Sequence, residues 1–445
     1  MKIIISSHSI LLLAALLLVQ CSESASGDMA DPEVIPSESD STAPPPVWQE
    51  HWFEHDQLLQ RVFYNDQVAL YYDNNVDRSI AWPESYFPKV WEYVKSVYGD
   101  YGDDPRLFVI LHTDNYSGGH PATDKEPKEG LNMAIHEIGH IVEGATNGIR
   151  HNPAWNIWKD SKWAEIFIYD VYRGTGEEQF AAEFYNDMID QYDDFPTENT
   201  QWFMDWFHPV YNQYGESDVL NNFYDLLAGH FPKNSAGNAF SRRMNWGEFI
   251  HFWSGAAAAD LKPVAQDAFG WSVAWEYELQ QARTNFPDLD YAIDFPAMEM
   301  VNVSSGASLT VSQENNNGPD GEEGSSRLID NDLFSKFFFF GYSSDFWAQQ
   351  EFAEVKSINS YILTSGNDYA ARDPKGWILA GSNDQQNWEI IDIQENITFD
   401  ERNQTKSFQL DSEASYRFYR LSVTENAGSA DFQLSEWGLL HVTEL

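Results

Sequence analysis

The chain has 445 residues, of which 42% are hydrophobic and 15% aromatic, so it is long enough to bury a sizeable core in two domains. Its formal charge at pH 7 is −44, from 26 Lys and Arg against 70 Asp and Glu. This charge would repel phosphate backbones, which argues against a nucleic-acid partner. The single cysteine excludes an intrachain disulfide, so packing and bound metals must supply the stability.

The N-terminus has the pattern of an export signal. One lysine precedes an apolar run from Ile10 to Val19, which is too short for a comfortable membrane-spanning helix. The run ends in "LVQC", which resembles the lipobox of bacterial lipoproteins. The resemblance implies a lipoprotein signal peptide over residues 1–21 and membrane attachment through a lipidated Cys21. The protein would then be exported and lipid-anchored at a bacterial outer membrane or cell surface. A plain secretory signal is the alternative.

The rest of the chain divides into three segments that differ in composition and in the spacing of apolar residues. Residues 22–46 combine Ser, Pro and acidic residues, a composition typical of a disordered linker. Residues 47–298 show one apolar, β-branched run at 106–112, which predicts a strand, and otherwise mostly helical spacing of apolar residues. Residues 299–445 begin rich in Gly, Asn and Ser and continue as short alternating runs. We therefore expect a mostly α domain of the α+β class followed by an all-β sandwich.

One stretch of the first domain carries a chemical signal. "NMAIHEIGHIVEGA", residues 132–145, places His136 and His140 four residues apart, so that both lie on one helix face and can bind one ion. Glu137 lies one residue further round the helix. This HExxH pattern is typical of zinc peptidases, in which two imidazoles bind the metal and the glutamate takes a proton from water. The alternative is a buried helix whose histidines are structural.

A zinc site of this kind needs a third protein ligand. The metzincin continuation HExxHxxGxxH is absent, because Glu143 stands where that motif has glycine. A glutamate on a following helix is the alternative source. Glu165 in "SKWAEIFIYDVY" is the first carboxylate on a convincing helix after His140, and we predict it as the third ligand. Glu183 in "AAEFYND", with Asp187 four residues later, is the second choice.

"HEIGH", followed about two dozen residues later by a glutamate in an aromatic-rich helix, resembles the enhancin-like, mucin-targeting gluzincin peptidases. The resemblance implies a zincin-like peptidase domain with zinc ligands His136, His140 and Glu165 and with Glu137 as the catalytic base. It also implies that the substrate is a protein or glycoprotein.

The C-terminal part carries a second resemblance. "TSGND", "RDPKGWILAGSND" and "YRLSVTENAGSADFQLSEWGLL" are similar to discoidin domains of the coagulation factor 5/8 C-terminal type, which are jelly-roll sandwiches. The resemblance implies a carbohydrate-binding role and a structural calcium ion. Its ligands would lie at the matching positions, Asp330, Asp332, Ser335 and Glu436. Asp-x-Asp with a nearby hydroxyl does offer the oxygen ligands that calcium prefers, although Asp and Asn are also ordinary turn residues.

These patterns predict an exported zinc endopeptidase whose C-terminal domain binds glycans. The competing hypothesis is a non-catalytic glycan-binding lipoprotein built on a peptidase-like scaffold. A glycosidase has no support from residue spacing, because the separation of two catalytic carboxylates is set in space.

Overall fold

The computed structural model describes residues 2–6, 42–51, 56–112, 127–160, 162–293 and 298–444. The predicted lipidation site Cys21, the apolar run before it and most of the predicted linker lie outside the described residues. Among the described helices, none is long and apolar enough to span a membrane. The chain forms two compact units, which are residues 1–193 with 201–243, and residues 194–200 with 244–445.

A five-stranded sheet forms one layer of the first unit, in the order β1-β5-β4-β3-β2. Its strands are β1 Lys2–Ser6, β2 Val47–Gln49, β3 Leu58–Tyr64, β4 Val68–Tyr72 and β5 Leu107–His112. The strand predicted at 106–112 is therefore confirmed. Strands β4 and β5 are parallel and buried along their whole length, as their apolar, aromatic and β-branched sequences favour. The backbone of residues 2–6, inside the predicted signal peptide, pairs with β5.

Helices make up most of the rest of this unit. They are α1 Trp82–Tyr98, α2 Pro127–Ala145, α3 Trp155–Trp158, α4 Lys162–Gly174, α5 Glu178–Met188, α6 His208–Gln213 and α7 Ser217–His230. A π-helical turn, Trp202–Phe207, leads into α6. Helix α1 provides the crossover that a parallel pair such as β4 and β5 requires. It ends at Gly99, whose φ of 88° favours glycine.

Helices α2 and α4 approach closely at Gly139. A Cβ atom at this buried position would lie 3.2 Å from Cδ1 of Phe167 and 3.6 Å from Cζ3 of Trp163. The missing side chain therefore lets the aromatic face of α4 pack directly on the backbone of the helix that carries the HExxH motif.

A buried carboxylate ties α4 to two other helices. Asp170 is fully buried and accepts hydrogen bonds from the hydroxyls of Tyr93 at 2.9 Å, Tyr98 at 2.9 Å and Tyr211 at 3.0 Å. Burial raises the pKa of Asp170 to about 6, although the three hydroxyls act in the opposite direction. One side chain of α4 thus satisfies hydroxyls from both α1 and α6.

The second unit begins with three helices and continues as a β-sandwich. The helices are α8 Trp246–Ala257, α9 Lys262–Phe269 and α10 Val273–Asn285. The strands are β6 Met298–Asn302, β7 Ser308–Val311, β8 Phe337–Phe340, β9 Trp347–Thr364, β10 Pro374–Ser382, β11 Glu389–Gln394, β12 Thr405–Asn426, β13 Asp431–Leu434 and β14 Glu436–Glu444. One sheet has the order β11-β10-β12-β9-β14-β6 with β7 paired to β9, and β8 pairs with β13. Fully buried Trp377 and Trp437 belong to the core of the sandwich.

The division between the units lies earlier than the domain boundary predicted between residues 298 and 299. Helices α8 to α10 group with the sandwich, because Tyr277 of α10 packs in one apolar cluster with Met300, Ile362 and Leu440. The helical spacing of residues 246–285 favoured assignment to the helical domain, since spacing reports the type of an element and not its packing partner.

Candidate metal centre and acidic loop

The two histidines of the HExxH motif lie side by side on α2. The centroids of the His136 and His140 rings are 4.6 Å apart, and the rings are nearly perpendicular. The opposite face of the helix carries buried Ile138 and Val142, which seat it on the core. Both imidazoles are half-buried. The sequence thus fixes this pair through the 3.6-residue period of a helix whose other face is apolar.

A carboxylate from the connection between α3 and α4 joins the pair. One ligand atom from each of His136, His140 and Asp160 lies within 4.8 Å of the other two. His140 Nε2 is 3.5 Å from Asp160 Oδ1, and the Asp160 side chain is exposed. Two imidazole nitrogens and one carboxylate oxygen are a donor set that suits zinc and leaves a coordination position for water.

Glu165, the predicted third ligand, is placed elsewhere. It lies in the first turn of α4, where its Oε1 accepts from Lys162 Nζ at 2.7 Å, and the same ammonium lies 2.9 Å from Asp193 Oδ2. Burial raises the pKa of Glu165 to about 7, against the opposing effect of Lys162. Its carboxylate therefore belongs to an ion-pair cluster and not to the histidine group. The reason is the i, i+3 spacing from Lys162, which puts the opposite charge within reach on the same helix.

Glu183, the second choice, also lies outside the histidine group. It is on α5, where its Oε1 accepts from Gln179 Nε2 at 3.0 Å. Together with Asp187, it lines a small cavity beside Tyr172. The prediction of a third ligand was directed at glutamates on helices, so it did not include Asp160. A carboxylate in the short link before the helix of Glu165 was the available signal.

Glu143, the residue that breaks the metzincin pattern, orients one of the histidines. Its Oε2 is 3.0 Å from His140 Nδ1, while its Oε1 accepts from Asn152 Nδ2 at 3.0 Å and from Trp158 Nε1 at 2.7 Å. The side chain is almost completely buried, and burial raises the pKa of this carboxyl group. Because Nδ1 of His140 faces Glu143, the other ring nitrogen, Nε2, is directed toward Asp160. A carboxylate in this place fixes the tautomer and the ring orientation of a metal-binding histidine.

If the histidine group binds zinc, replacing Glu143 by glutamine is expected to weaken that binding by about 10- to 100-fold while the chain stays folded. The amide keeps the size of the side chain but can present its NH₂ group to His140, which favours the wrong tautomer. Competition with a fluorescent zinc chelator measures the affinity, and circular dichroism checks the fold. The exposed Glu178, changed to glutamine, is the matched control, and an unchanged zinc affinity in the Glu143 variant would contradict the orienting role.

In the second unit, the predicted calcium ligands form an ordered acidic loop. Asp330 accepts from the backbone N–H of Asp332 at 2.9 Å and from the hydroxyl of Ser335 at 3.0 Å. Between them, Asn331 has a φ of 61°, and its side-chain oxygen accepts from Asn302 at 2.9 Å. These bonds hold the loop in a compact turn.

Glu436, at the start of β14, faces this loop from a fully buried position. Neither carboxylate oxygen has a donor in full hydrogen-bond geometry among the described residues, although the backbone N–H of Asn331 and the hydroxyl of Tyr277 act on this carboxylate more weakly. Burial raises the pKa of Glu436 well above its usual value, and the charges of Asp330 and Asp332 raise it further. Burying an unpaired carboxylate beside two others is unfavourable unless a cation neutralises them. The carboxylates of Asp330, Asp332 and Glu436 are not all within 4.8 Å of one another, as the ligand atoms of His136, His140 and Asp160 are. Because calcium takes about six to eight oxygen ligands, a calcium ion here would also need hydroxyl and carbonyl oxygens.

Comparison with known proteins identifies the C-terminal part. The profile of the F5/8 type C domain family matches residues 308–436. This part of the chain is an F5/8 type C domain. The match lies inside the predicted 299–445 domain and covers the acidic loop, Glu436 included. The match confirms the discoidin prediction and the all-β sandwich. The part of the chain that precedes this domain in the sequence contains the helices.

Other similarities are more distant. A peptide-N(4)-(N-acetyl-beta-glucosaminyl)asparagine amidase of Arabidopsis thaliana is 37% identical over 86 residues, which span 18% of this chain and 12% of that protein. The solved family 32 module CpGH89CBM32-5 of Clostridium perfringens, in complex with GalNAc-beta-1,3-galactose, is 14% identical, with a TM-score of 0.28 over 32% of this chain and 99% of its own. The family 32 module of C. perfringens NanJ, in complex with galactose, is 12% identical, with a TM-score of 0.28, and covers 32% of this chain and 100% of its own.

Proposed function

We propose that the protein is an exported zinc-dependent endopeptidase of proteins or glycoproteins, with a zincin-like first unit and a glycan-binding F5/8 type C domain. The observation that carries the proposal is the group of His136, His140 and Asp160 with Glu137 directly beside it on α2. In this proposal Asp160 takes the place that the gluzincin resemblance gives to Glu165, because the Glu165 carboxylate pairs with Lys162.

Each residue of the group has a distinct role. His136 and His140 would hold the ion with their ring nitrogens, Asp160 would add one oxygen, and Glu143 would keep His140 in the binding orientation. A bound zinc ion supplies Lewis acidity to the scissile carbonyl and lowers the pKa of water at the site. Glu137 accepts the proton of the attacking water and delivers it to the leaving amine, the usual work of a general acid and base. The half-buried position of Glu137 on α2 suits that work.

Metal content and proteolysis test the proposal together. The purified full chain should contain equimolar zinc and should cleave casein or a glycosylated protein. Both properties should be lost with 1,10-phenanthroline and restored by added zinc. His140→Ala should bind no zinc and cleave nothing. Zinc below stoichiometric amounts, or equimolar zinc without cleavage of any protein, would favour the competing hypothesis of a non-catalytic glycan-binding protein.

The glycan-binding part of the proposal is supported by the F5/8 type C match and by the sugars bound to the family 32 modules named above. Retention of the full chain on immobilised glycans, with elution by free sugar, tests it. Retention that free sugar does not compete would oppose it.

Attachment to a bacterial membrane through a lipidated Cys21 is a further part of the proposal, and mass spectrometry of the mature N-terminus tests that part.

We further propose calcium in the acidic loop, held by Asp330, Asp332, Ser335 and Glu436. The fully buried carboxylate of Glu436, on which the charges of Asp330 and Asp332 act, is the observation that favours it. Calcium should raise the unfolding temperature of the calcium-depleted wild type. It should leave that of Glu436→Gln unchanged, because the amide no longer attracts the ion. The exposed Glu395, changed to glutamine, should keep the wild-type response. A calcium response retained by Glu436→Gln would refute the assignment.

A further inference from the structure

A cavity of about 360 Å³ opens beside the candidate metal centre, within the first unit. Its lining consists of His151, Asn152, Pro153, Trp155, Phe240, Ser241, Arg242 and Arg243. Trp155 connects the two places, because it lines the cavity and its ring centroid is 6.1 Å from that of His140. The volume lies in the range of small-ligand pockets and exceeds what one side chain needs.

Two segments that are distant in sequence build this cavity, and backbone hydrogen bonds join them. The N–H of Arg150 donates to the carbonyl of Asn238 at 3.0 Å, and the N–H of Phe240 donates to the carbonyl of Arg150 at 3.0 Å. The walls therefore keep a fixed separation, which favours a preformed site over one that ligand binding would have to assemble.

The charge of the lining is opposite to that of the protein as a whole. The chain carries 70 acidic against 26 basic side chains. The described lining nevertheless contains two adjacent arginines and one histidine, and none of its described residues has a carboxylate. In so acidic a protein, a cavity of this kind attracts anions at a place where the surrounding surface repels them.

Both guanidinium groups are oriented by the protein. Arg243 Nη1 donates to the carbonyl of Asn152 at 3.1 Å. Arg242 Nη1 donates to the carbonyl of Arg243 at 3.0 Å, and its guanidinium carbon lies 4.5 Å from the centroid of the Phe231 ring. These contacts hold both guanidinium groups in place, and the planar fork of an arginine suits a carboxylate.

Asn152 also connects the cavity to the metal centre. Its carbonyl receives Arg243, while its side-chain amide donates to Glu143, which in turn contacts His140. Asn152 and Trp155 thus each contact both the cavity lining and the histidine group or its partner Glu143.

We propose that this cavity is a specificity subsite that binds a carboxylate of the substrate close to the scissile bond. The inference rests on the proposed peptidase function. The carboxylate can come from an Asp or Glu side chain or from sialic acid on a glycan of the substrate, since both present the same planar anion to the arginines.

Matched substrates test the subsite. Two sets of synthetic peptides differ only in having Glu or Gln at each position around the cleaved bond, and one glycopeptide is used with and without its terminal sialic acid. We expect the wild type to show a kcat/KM about 10- to 100-fold higher for the carboxylate-bearing member of at least one pair, the size expected for charge-assisted hydrogen bonds. Arg242→Gln and Arg243→Gln should each reduce this ratio to about threefold or less. The ratio is the readout, because a general loss of activity lowers kcat/KM for both members of a pair alike.

Arg150→Gln is the control, because Arg150 is exposed and lies outside the lining, so the ratio should stay at the wild-type value. The same pairs are also compared by isothermal titration calorimetry. If the protein cleaves nothing but binds the carboxylate member more tightly in an arginine-dependent way, the peptidase proposal fails and the subsite stands. If the wild type treats the two members of every pair alike, or if its preference for the carboxylate member survives both arginine changes, the subsite is refuted even where peptides are cleaved.

Discussion

Replacing Glu137 by glutamine is expected to lower kcat/KM for peptide hydrolysis by about 10²- to 10⁴-fold, the usual contribution of a general base. The amide has the shape of the carboxylate but cannot accept the proton of the attacking water. Since Glu137 is outside the group of His136, His140 and Asp160, the zinc content should stay equimolar. Steady-state kinetics on a peptide cleaved by the wild type, together with metal analysis, measures both quantities.

Two variants frame this result. His140→Ala should lose zinc and activity together, whereas Glu165→Gln should keep its zinc because its carboxylate pairs with Lys162. A Glu137→Gln protein with wild-type kcat/KM would remove Glu137 from the mechanism. If Glu165→Gln lost its zinc while Asp160→Asn kept it, the third ligand would be Glu165 after all.

Replacing Asp170 by alanine should lower the free energy of unfolding of the first unit by about 3–5 kcal/mol. The change leaves the hydroxyls of Tyr93, Tyr98 and Tyr211 without their acceptor. Each buried hydroxyl that loses its partner costs about 1–3 kcal/mol, and the losses are not additive. Urea unfolding followed by circular dichroism measures the change. The exposed Asp190, changed to alanine, should stay within about 0.5 kcal/mol of the wild type.

The same carboxylate predicts a pH dependence with a definite sign. The pKa of Asp170 is raised from 3.8 to about 6, so the folded state binds its proton more tightly than the unfolded state. The stabilisation that comes from binding this proton is therefore fully present below pH 3.8 and is lost as the pH rises through about 6, whereas the three hydrogen bonds to Asp170 are counted separately. The difference in unfolding free energy between wild type and Asp170→Asn should change in that direction between pH 4 and pH 6. A difference independent of pH in this window would contradict the raised pKa.

The sequence predicts elements and local motifs well because these depend on neighbouring residues. The strand at 106–112, the helix of the HExxH motif and the C-terminal sandwich follow from spacing, turn residues and a specific resemblance. The third member of the histidine group does not, because it depends on how α4 approaches α2. Glu165 had the expected residue type on the expected helix, yet its carboxylate forms an ion pair with Lys162, one turn earlier on that helix.

The boundary between the units illustrates the same limit. Nothing in the helical spacing of residues 273–285 indicates that Tyr277 packs with Met300 and Leu440. The contact of Glu143 with His140 could not be predicted from the sequence for a different reason. It stands where a related motif has glycine, so the sequence marked it as a departure from a pattern, and only the contacts with His140, Asn152 and Trp158 show what it does.

Gly139 occupies one of the two unspecified positions of the HExxH motif, and in this protein it has a packing role. A methyl group there would lie 3.2 Å from the ring of Phe167, so that ring, and with it the adjoining face of α4, would have to give way by a few tenths of an ångström. Asp160 lies two residues before α4, so such a shift would change the distance between its oxygen and the two imidazoles without altering any residue of the histidine group. If the histidine group holds zinc as proposed, larger side chains at Gly139 should weaken zinc binding, although Gly139 is not a member of that group.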